Sequence, residues 1–197
     1  MIAMILRRYI TVIFLLMASP LAFADALDIS LNNNAVAFNY NSSAGGLMPG
    51  NADILVGALY NDSMNTLADV GLLVKADEGD STEMTLAVGT KALVGMIKNY
   101  IPGTTQNVAA IVIGGELGYT FPAAKQLSAA FYYFAGPLIT TFGDADRANQ
   151  WGLHADYEVS PGTKVYVEYR ETNFGITSTG QTATLDSGTY LGIKLAF

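Results

Sequence analysis

Ser187-Gly-Thr-Tyr-Leu-Gly-Ile-Lys-Leu-Ala-Phe197 carries the clearest structural signal in the chain. Thr189, Leu191, Ile193, Leu195 and Phe197 fall at every second position, and Tyr190, Gly192, Lys194 and Ala196 fill the positions between. Side chains of a strand alternate between two faces, so this spacing gives one apolar and one mixed face. A helix would turn Leu191 and Ile193, two residues apart, to different faces, so the strict period of two fits a strand better.

The same alternation recurs upstream. Trp151, Leu153, Ala155, Tyr157 and Val159 oppose Gln150, Gly152, His154, Asp156 and Glu158, and Ser160-Pro-Gly-Thr163 turns the chain. Val165, Val167 and Tyr169 then oppose Tyr166, Glu168 and Arg170. Earlier, Ile111, Ile113, Leu117 and Tyr119 oppose Gly114 and Glu116. Leu127, Ala129, Phe131 and Tyr133 follow after Phe121-Pro-Ala-Ala-Lys125, and Met84, Leu86 and Val88 oppose Gly89 and Lys91. Val70, Leu72 and Val74 oppose Asp69, Gly71 and Lys75. No helical period competes in this region.

Composition narrows the class. The chain is 51% hydrophobic and only 14% charged. Beyond the first residues it lacks an apolar run of the roughly 20 residues a spanning helix needs. Apolar residues at alternate positions, in segments of about ten, suit transmembrane strands instead. A strand whose apolar face runs to an aromatic carboxyl end resembles the closing strand of bacterial outer-membrane barrels. The amino-terminal stretch agrees in compartment. Arg7 and Arg8 precede an apolar segment, Tyr9 to Ala18, and Ala22-Phe23-Ala24 has the small-x-small cleavage pattern. This predicts a signal peptide over 1–24 and one barrel domain over 25–197, with an uncleaved anchor as the alternative. The predicted location is the outer membrane of a Gram-negative bacterium.

Ten strands are expected, beginning near Leu27, Ala35, Asp53, Leu67, Thr82, Asn107, Leu127, Arg147, Lys164 and Ser187. Eight is the alternative, and the count is even in single-chain barrels. The stretches 93–106, 138–147 and 174–186 are expected as outside loops. The fold class is therefore all-β, a transmembrane antiparallel barrel. A soluble barrel with its apolar face inward is the competing architecture.

The outward set places Tyr119, Tyr133, Trp151, Tyr157 and Tyr169 toward lipid as interfacial girdles. The inward set places Lys75, Lys91, Glu116, His154, Asp156, Glu158, Glu168, Arg170 and Lys194 in the lumen, where opposite charges can satisfy one another. Leu191, Ile193, Leu195 and Phe197 form the expected signal to the outer-membrane assembly machinery. His154 with Asp156 has the form of a general base and its orienting acid, but no serine carries a nucleophile motif. One histidine with scattered carboxylates lacks zinc spacing, and no calcium loop is present, so no metal or cofactor is expected. The chain has no cysteine, which removes disulfides and thiol chemistry. A net charge of −7, or −9 without Arg7 and Arg8, argues against nucleic acid. Outer-membrane lipid is the expected surrounding, and the sequence names no external ligand.

The chain resembles the YfaZ family of outer-membrane proteins. The resemblance rests on Ile113-Gly-Gly-Glu-Leu-Gly-Tyr119, the Pro turn after it, Phe131-Tyr-Tyr-Phe-Ala-Gly-Pro-Leu138 with Asp144 beyond, and Val165-Tyr-Val-Glu-Tyr-Arg170. Glu168 departs from that pattern, which has Gly at this place. The resemblance implies a barrel without assigned catalysis and transfers no functional residues. Three functions remain open: a structural or surface-exposed envelope barrel, a narrow channel for small solutes, and an envelope hydrolase built on His154.

Overall fold

The computed structural model describes residues 26–44, 51–76 and 83–197. The expected signal peptide lies outside the described residues. Alternating sequences form eleven strands: β1 (Ala26–Leu31), β2 (Ala35–Ser43), β3 (Ala52–Asn61), β4 (Thr66–Lys75), β5 (Met84–Lys98), β6 (Thr105–Thr120), β7 (Leu127–Gly136), β8 (Thr141–Gly143), β9 (Ala145–Ser160), β10 (Thr163–Ile176) and β11 (Gln181–Ala196). Every pairing is antiparallel, β1 with β11 included, and the β5–β6 pairing closes the sheet. Closure pairs the strands around the wall, so backbone donors and acceptors are largely satisfied within it; the exception is the upper half of β11.

The wall holds ten strand positions, because β7 and β8 share one. β6 pairs with β7 through Ile113–Thr120 and with β8 through Val108–Ala110. Between them a 3-10 turn, Leu138–Thr140, leaves Leu138 and Ile139 exposed. The barrel is thus ten-stranded with a short first strand, as the alternation predicts.

The membrane polarity also follows the alternation. Val88, Val94, Ile113, Leu117, Phe131, Leu153, Val167, Leu191 and Ile193 all project outward and are exposed. A soluble barrel would bury this face, so the soluble alternative fails. Tyr119, Tyr133, Tyr157 and Tyr169 are exposed on the outer surface; Trp151 is half-buried there, 5.3 Å from the Tyr169 ring.

The loops differ from expectation. β5 continues to Lys98 and β6 begins at Thr105, so only a short turn separates them. β10 runs to Ile176, and β11 begins at Gln181 rather than Ser187. The stretches read as outside loops are largely strand. At about 3.3 Å per residue, β9 and β11, with 16 residues each, exceed what a transmembrane strand needs. Trp151 consequently sits mid-strand rather than near an end. Above it the outer faces of these strands turn polar, with Asn149, Arg147, Ser187, Thr184 and Thr182.

A bulge marks that change. Thr172 pairs with Asp186 and Asn173 with Thr184, so Leu185 has no partner across the β10–β11 ladder. The extra residue shifts the side chains by one place, as a bulge must. Below it Asp186, Tyr190 and Lys194 face inward; above it Leu185 and Ala183 do, both buried.

Candidate functional site

The inward residues divide the lumen into two layers. Toward the hairpin end, the end opposite the chain termini, Leu93 and Ile97 of β5, Val108 and Ala110 of β6, Phe174 and Ile176 of β10, and Leu185 of β11 form one apolar cluster. None is more than 2% exposed. Burying such side chains contributes about 1.5–3 kcal/mol each. This layer fills the bore with hydrocarbon and was not foreseen from the sequence.

The turn between β3 and β4 completes the closure. Because β1 ends at Leu31, paired with Leu191, the upper half of β11 has no β1 beside it. Asn61 and Asn65 reach into that space, and both side-chain amides donate to the Leu185 carbonyl, at 2.8 and 2.9 Å. The bulge supplies the acceptor. Asn61 Oδ1 in turn accepts from the Asn65 backbone N–H, and Asn65 Oδ1 accepts from that of Lys98.

Below the apolar layer lies a polar chamber of about 150 Å³. Its lining runs from Ala26, Asn41 and Lys194 at the terminal rim to Leu59, Leu67 and Phe134 under the apolar layer. Five carboxylates line it, Asp28, Asp69, Glu116, Asp156 and Glu168, against Lys91, Arg170, Lys194 and His154.

Arg170 organises one wall. Its Nε donates to Asp186 at 3.3 Å, and its Nη1 lies 3.6 Å from Glu168 and 3.4 Å from Ser30 Oγ. The guanidinium stacks 3.6 Å from the centre of the Tyr190 ring, whose hydroxyl donates to Asp186 at 2.7 Å. Only a planar cation makes all these contacts together. On β9, His154 Nδ1 and Asp156 are 2.7 Å apart. Lys91 donates to Gln150 at 3.2 Å and lies 4.5 Å from the centre of the Phe134 ring.

Two tyrosines repeat one arrangement. Tyr132 lies over Gly152, its partner across the β7–β9 ladder, and donates to Glu168 at 2.8 Å. Tyr166 lies over Gly192, its partner across β10–β11, and donates to Asp28 at 2.5 Å. A side chain at either glycine would collide with the ring, so the glycines let the rings lie flat and cross the lumen.

Of the residues read as a lumen network, Lys91, Glu116, His154, Asp156, Glu168, Arg170 and Lys194 line the chamber. Lys75 and Glu158 do not. Lys75 stands at the terminal end, half-exposed, 2.6 Å from Asp53. Glu158 is partly exposed on the last turn of pairing before Ser160. Asp69, Tyr132 and Tyr166 lie on the face that alternation turns inward but do not enter the expected network; Asp28 is absent from it although Leu27 and Ile29 alternate around it, and Asp186 lies in a stretch that reads as loop. Among the described residues no group of histidines and carboxylates could hold a metal ion, and no hydroxyl is hydrogen-bonded to His154.

The family model described as YfaZ precursor matches residues 6–197. The chain belongs to the YfaZ family. A search of curated proteins finds no match. Among solved structures, this YfaZ-family chain is similar to a KdgM porin, at 9% identity and a TM-score of 0.43, over 88% of this chain and 99% of that one. A NanC porin gives 11% identity and 0.43, over 89% and 99%. A bacterial polysaccharide outer membrane secretin gives 10% and 0.45, over 87% and 69%. Likeness this slight assigns no solute to the YfaZ-family barrel. Its own wall, apolar outside and polar within, makes it a small outer-membrane β-barrel.

Proposed function

We propose that this barrel is a closed, non-catalytic envelope protein whose role is structural or exerted through its exposed hairpins. The observation that carries this reading is the apolar layer of Leu93, Ile97, Val108, Phe174, Ile176 and Leu185 across the bore. Ions do not cross a dry hydrocarbon layer without losing hydration, which is costly. The absence of a hydroxyl on His154 among the described residues favours a structural His154–Asp156 pair over a hydrolase. Export follows from the signal-like residues 1–24. Leu191, Ile193, Leu195 and Phe197, exposed on the outer face or at the end of β11, support the reading that the assembly machinery inserts the barrel.

Single-channel recording from folded protein in a planar bilayer tests the reading. Silence from inserted protein is expected, and discrete reproducible openings would overturn it. A second reading, a narrow channel gated at the hairpin end, has one observation in its favour. The polar chamber already extends from the terminal rim to the underside of the apolar layer.

A further inference from the structure

The apolar belt on the outside of the barrel is not of even height. On β5 the exposed outward side chains run from Met84, Leu86 and Val88 up to Val94 and Met96, and on β6 from Tyr119 and Leu117 up to Ile111. Runs of this length meet the roughly ten residues a transmembrane strand needs. Across the barrel the belt is short. It runs only from Leu191 to Phe197 on β11, from Val165 to Tyr169 on β10, and from Leu27 to Leu31 on β1.

Above that short belt the wall of β9, β10 and β11 stays tall but turns polar. Glu171 pairs with Trp151 and Ser187 on its two ladders, and Asn173 pairs with Asn149 and Thr184. Their side chains form a lattice. Tyr169 donates to Glu171 at 3.4 Å and lies 3.2 Å from Ser187 Oγ, while Asn173 donates to Asn149 at 3.3 Å and accepts from Thr184 at 2.8 Å. One row higher Arg147 donates to Thr182 at 3.1 Å. On the other side of the seam the β1–β2 turn leaves Asn33 and Asn34 exposed just past Leu31.

A level apolar band about 25 Å tall would set Glu171, Thr189 and Asn33 against lipid chains, where polar groups lose their hydration. Tilting the barrel does not relieve this. Raising the β11 side would pull the Ser160–Thr163 turn and the terminal carboxylate of Phe197 into hydrocarbon.

We propose that the membrane surface dips along β9, β10, β11 and the β1–β2 turn, and that lipid headgroups of the leaflet at the hairpin end pack on the lattice of Glu171, Asn173 and Thr184. A bilayer thins to meet a wall whose apolar run is short, at modest cost. Exposed Thr182, Thr184, Thr189, Asn33 and Asn34 offer those headgroups hydroxyls and amides. Trp151, 5.3 Å from Tyr169 between ring centres, then stands at the interface, where such rings belong, although it lies mid-strand. The surface is on the outer wall, so it stands or falls independently of whether the lumen conducts.

Trp151 is the chain's one tryptophan, which makes its depth directly readable. Folded protein is placed in phosphatidylcholine vesicles whose chains carry bromine either near the headgroup or near the chain end, and the quenching of fluorescence is compared. Quenching at least twofold stronger from the headgroup position is expected. Ile113→Trp in a Trp151→Phe background gives the mid-wall reference on β6 and should show the reverse preference. Ser187→Leu with Thr189→Leu lengthens the β11 belt and should move Trp151 toward the chain-end label. Heat-modifiable migration verifies that each variant folds, and Thr189→Leu alone replaces the double variant if that one fails. Three results would overturn the proposal: Trp151 as deep as the Ile113→Trp reference, Trp151 unmoved in the folded leucine variant, or Trp151 quenched by neither label, as a second copy seated on the patch would leave it.

Discussion

The Asn61 side-chain amide donates to the Leu185 carbonyl at 2.8 Å, joining residues 124 positions apart in the chain. The bond ties the β3–β4 turn to the bulge in β11. It occupies the place where a longer first strand would have paired. Asn61→Ala leaves the Leu185 carbonyl one donor short, so a destabilisation of about 1–2 kcal/mol is expected in urea unfolding of the folded barrel. Asn65 shares that acceptor. The double variant should therefore lose a different amount from the sum of the two single losses.

Phe174 is fully buried at the centre of the apolar layer. Phe174→Ala should cost about 3–5 kcal/mol and leave a cavity in the hydrocarbon. Combined with Leu93→Ala, it should convert a silent barrel into one with measurable conductance. Continued silence in an inserted, folded double variant would place the barrier elsewhere in the lumen.

Arg170 holds two carboxylates and one aromatic face. Arg170→Ala strands Glu168 and Asp186 together, and a loss of about 3–5 kcal/mol is expected. Arg170→Lys keeps the charge but neither the stacking on Tyr190 nor the fork toward both acids, so it should recover only part of that loss. Chemical denaturation of the three proteins side by side gives the comparison.

Gly192 is covered by the Tyr166 ring. Gly192→Ala should displace the ring and break its hydrogen bond to Asp28, a loss of about 1–3 kcal/mol by unfolding midpoint. Gly192→Ala with Tyr166→Phe should be less harmful than the two single losses added, because the second change removes a bond the first has already broken.

Deleting Phe197 removes the exposed aromatic end of the last strand. A marked fall in the heat-modifiable fraction recovered from membranes is expected, with the purified variant still refolding in detergent. Equal recovery in membranes would remove Phe197 from the assembly signal.

The architecture was legible where lipid imposes one rule on every strand. Leu191, Ile193 and Leu195 must face hydrocarbon, so their spacing fixed register and polarity. The apolar layer was not legible for the opposite reason. Leu93, Ile97, Phe174, Ile176, Ala183 and Leu185 lie in the stretches 93–106 and 174–186, which read as loops. Around them Thr182, Thr184, Arg147 and Asn149 make the outer surface polar. On β9 to β11 above the bulge the protein is apolar inside and polar outside, as a water-soluble sheet is, while Val94 and Met96 keep the β5 side apolar on both faces. A reading tuned to lipid misses the inversion. The chamber fell between these cases. His154, Asp156, Glu168 and Arg170 follow from alternation, but which charges meet across the lumen depends on barrel closure, which a single strand does not reveal.

β1 shares six ladder positions with β11, whereas β10 shares fourteen with it. Around the circumference, then, this seam and the β1–β2 joint, also of six positions, hold the fewest ladder rungs. A tube fails along its weakest line. Lateral tension in the membrane is expected to load the six rungs from Ala26 to Leu31 first; above them Asn61 and Asn65 hold the Leu185 carbonyl and Tyr100 reaches the Thr182 carbonyl. The seam's upper half is closed by side chains rather than by the ladder.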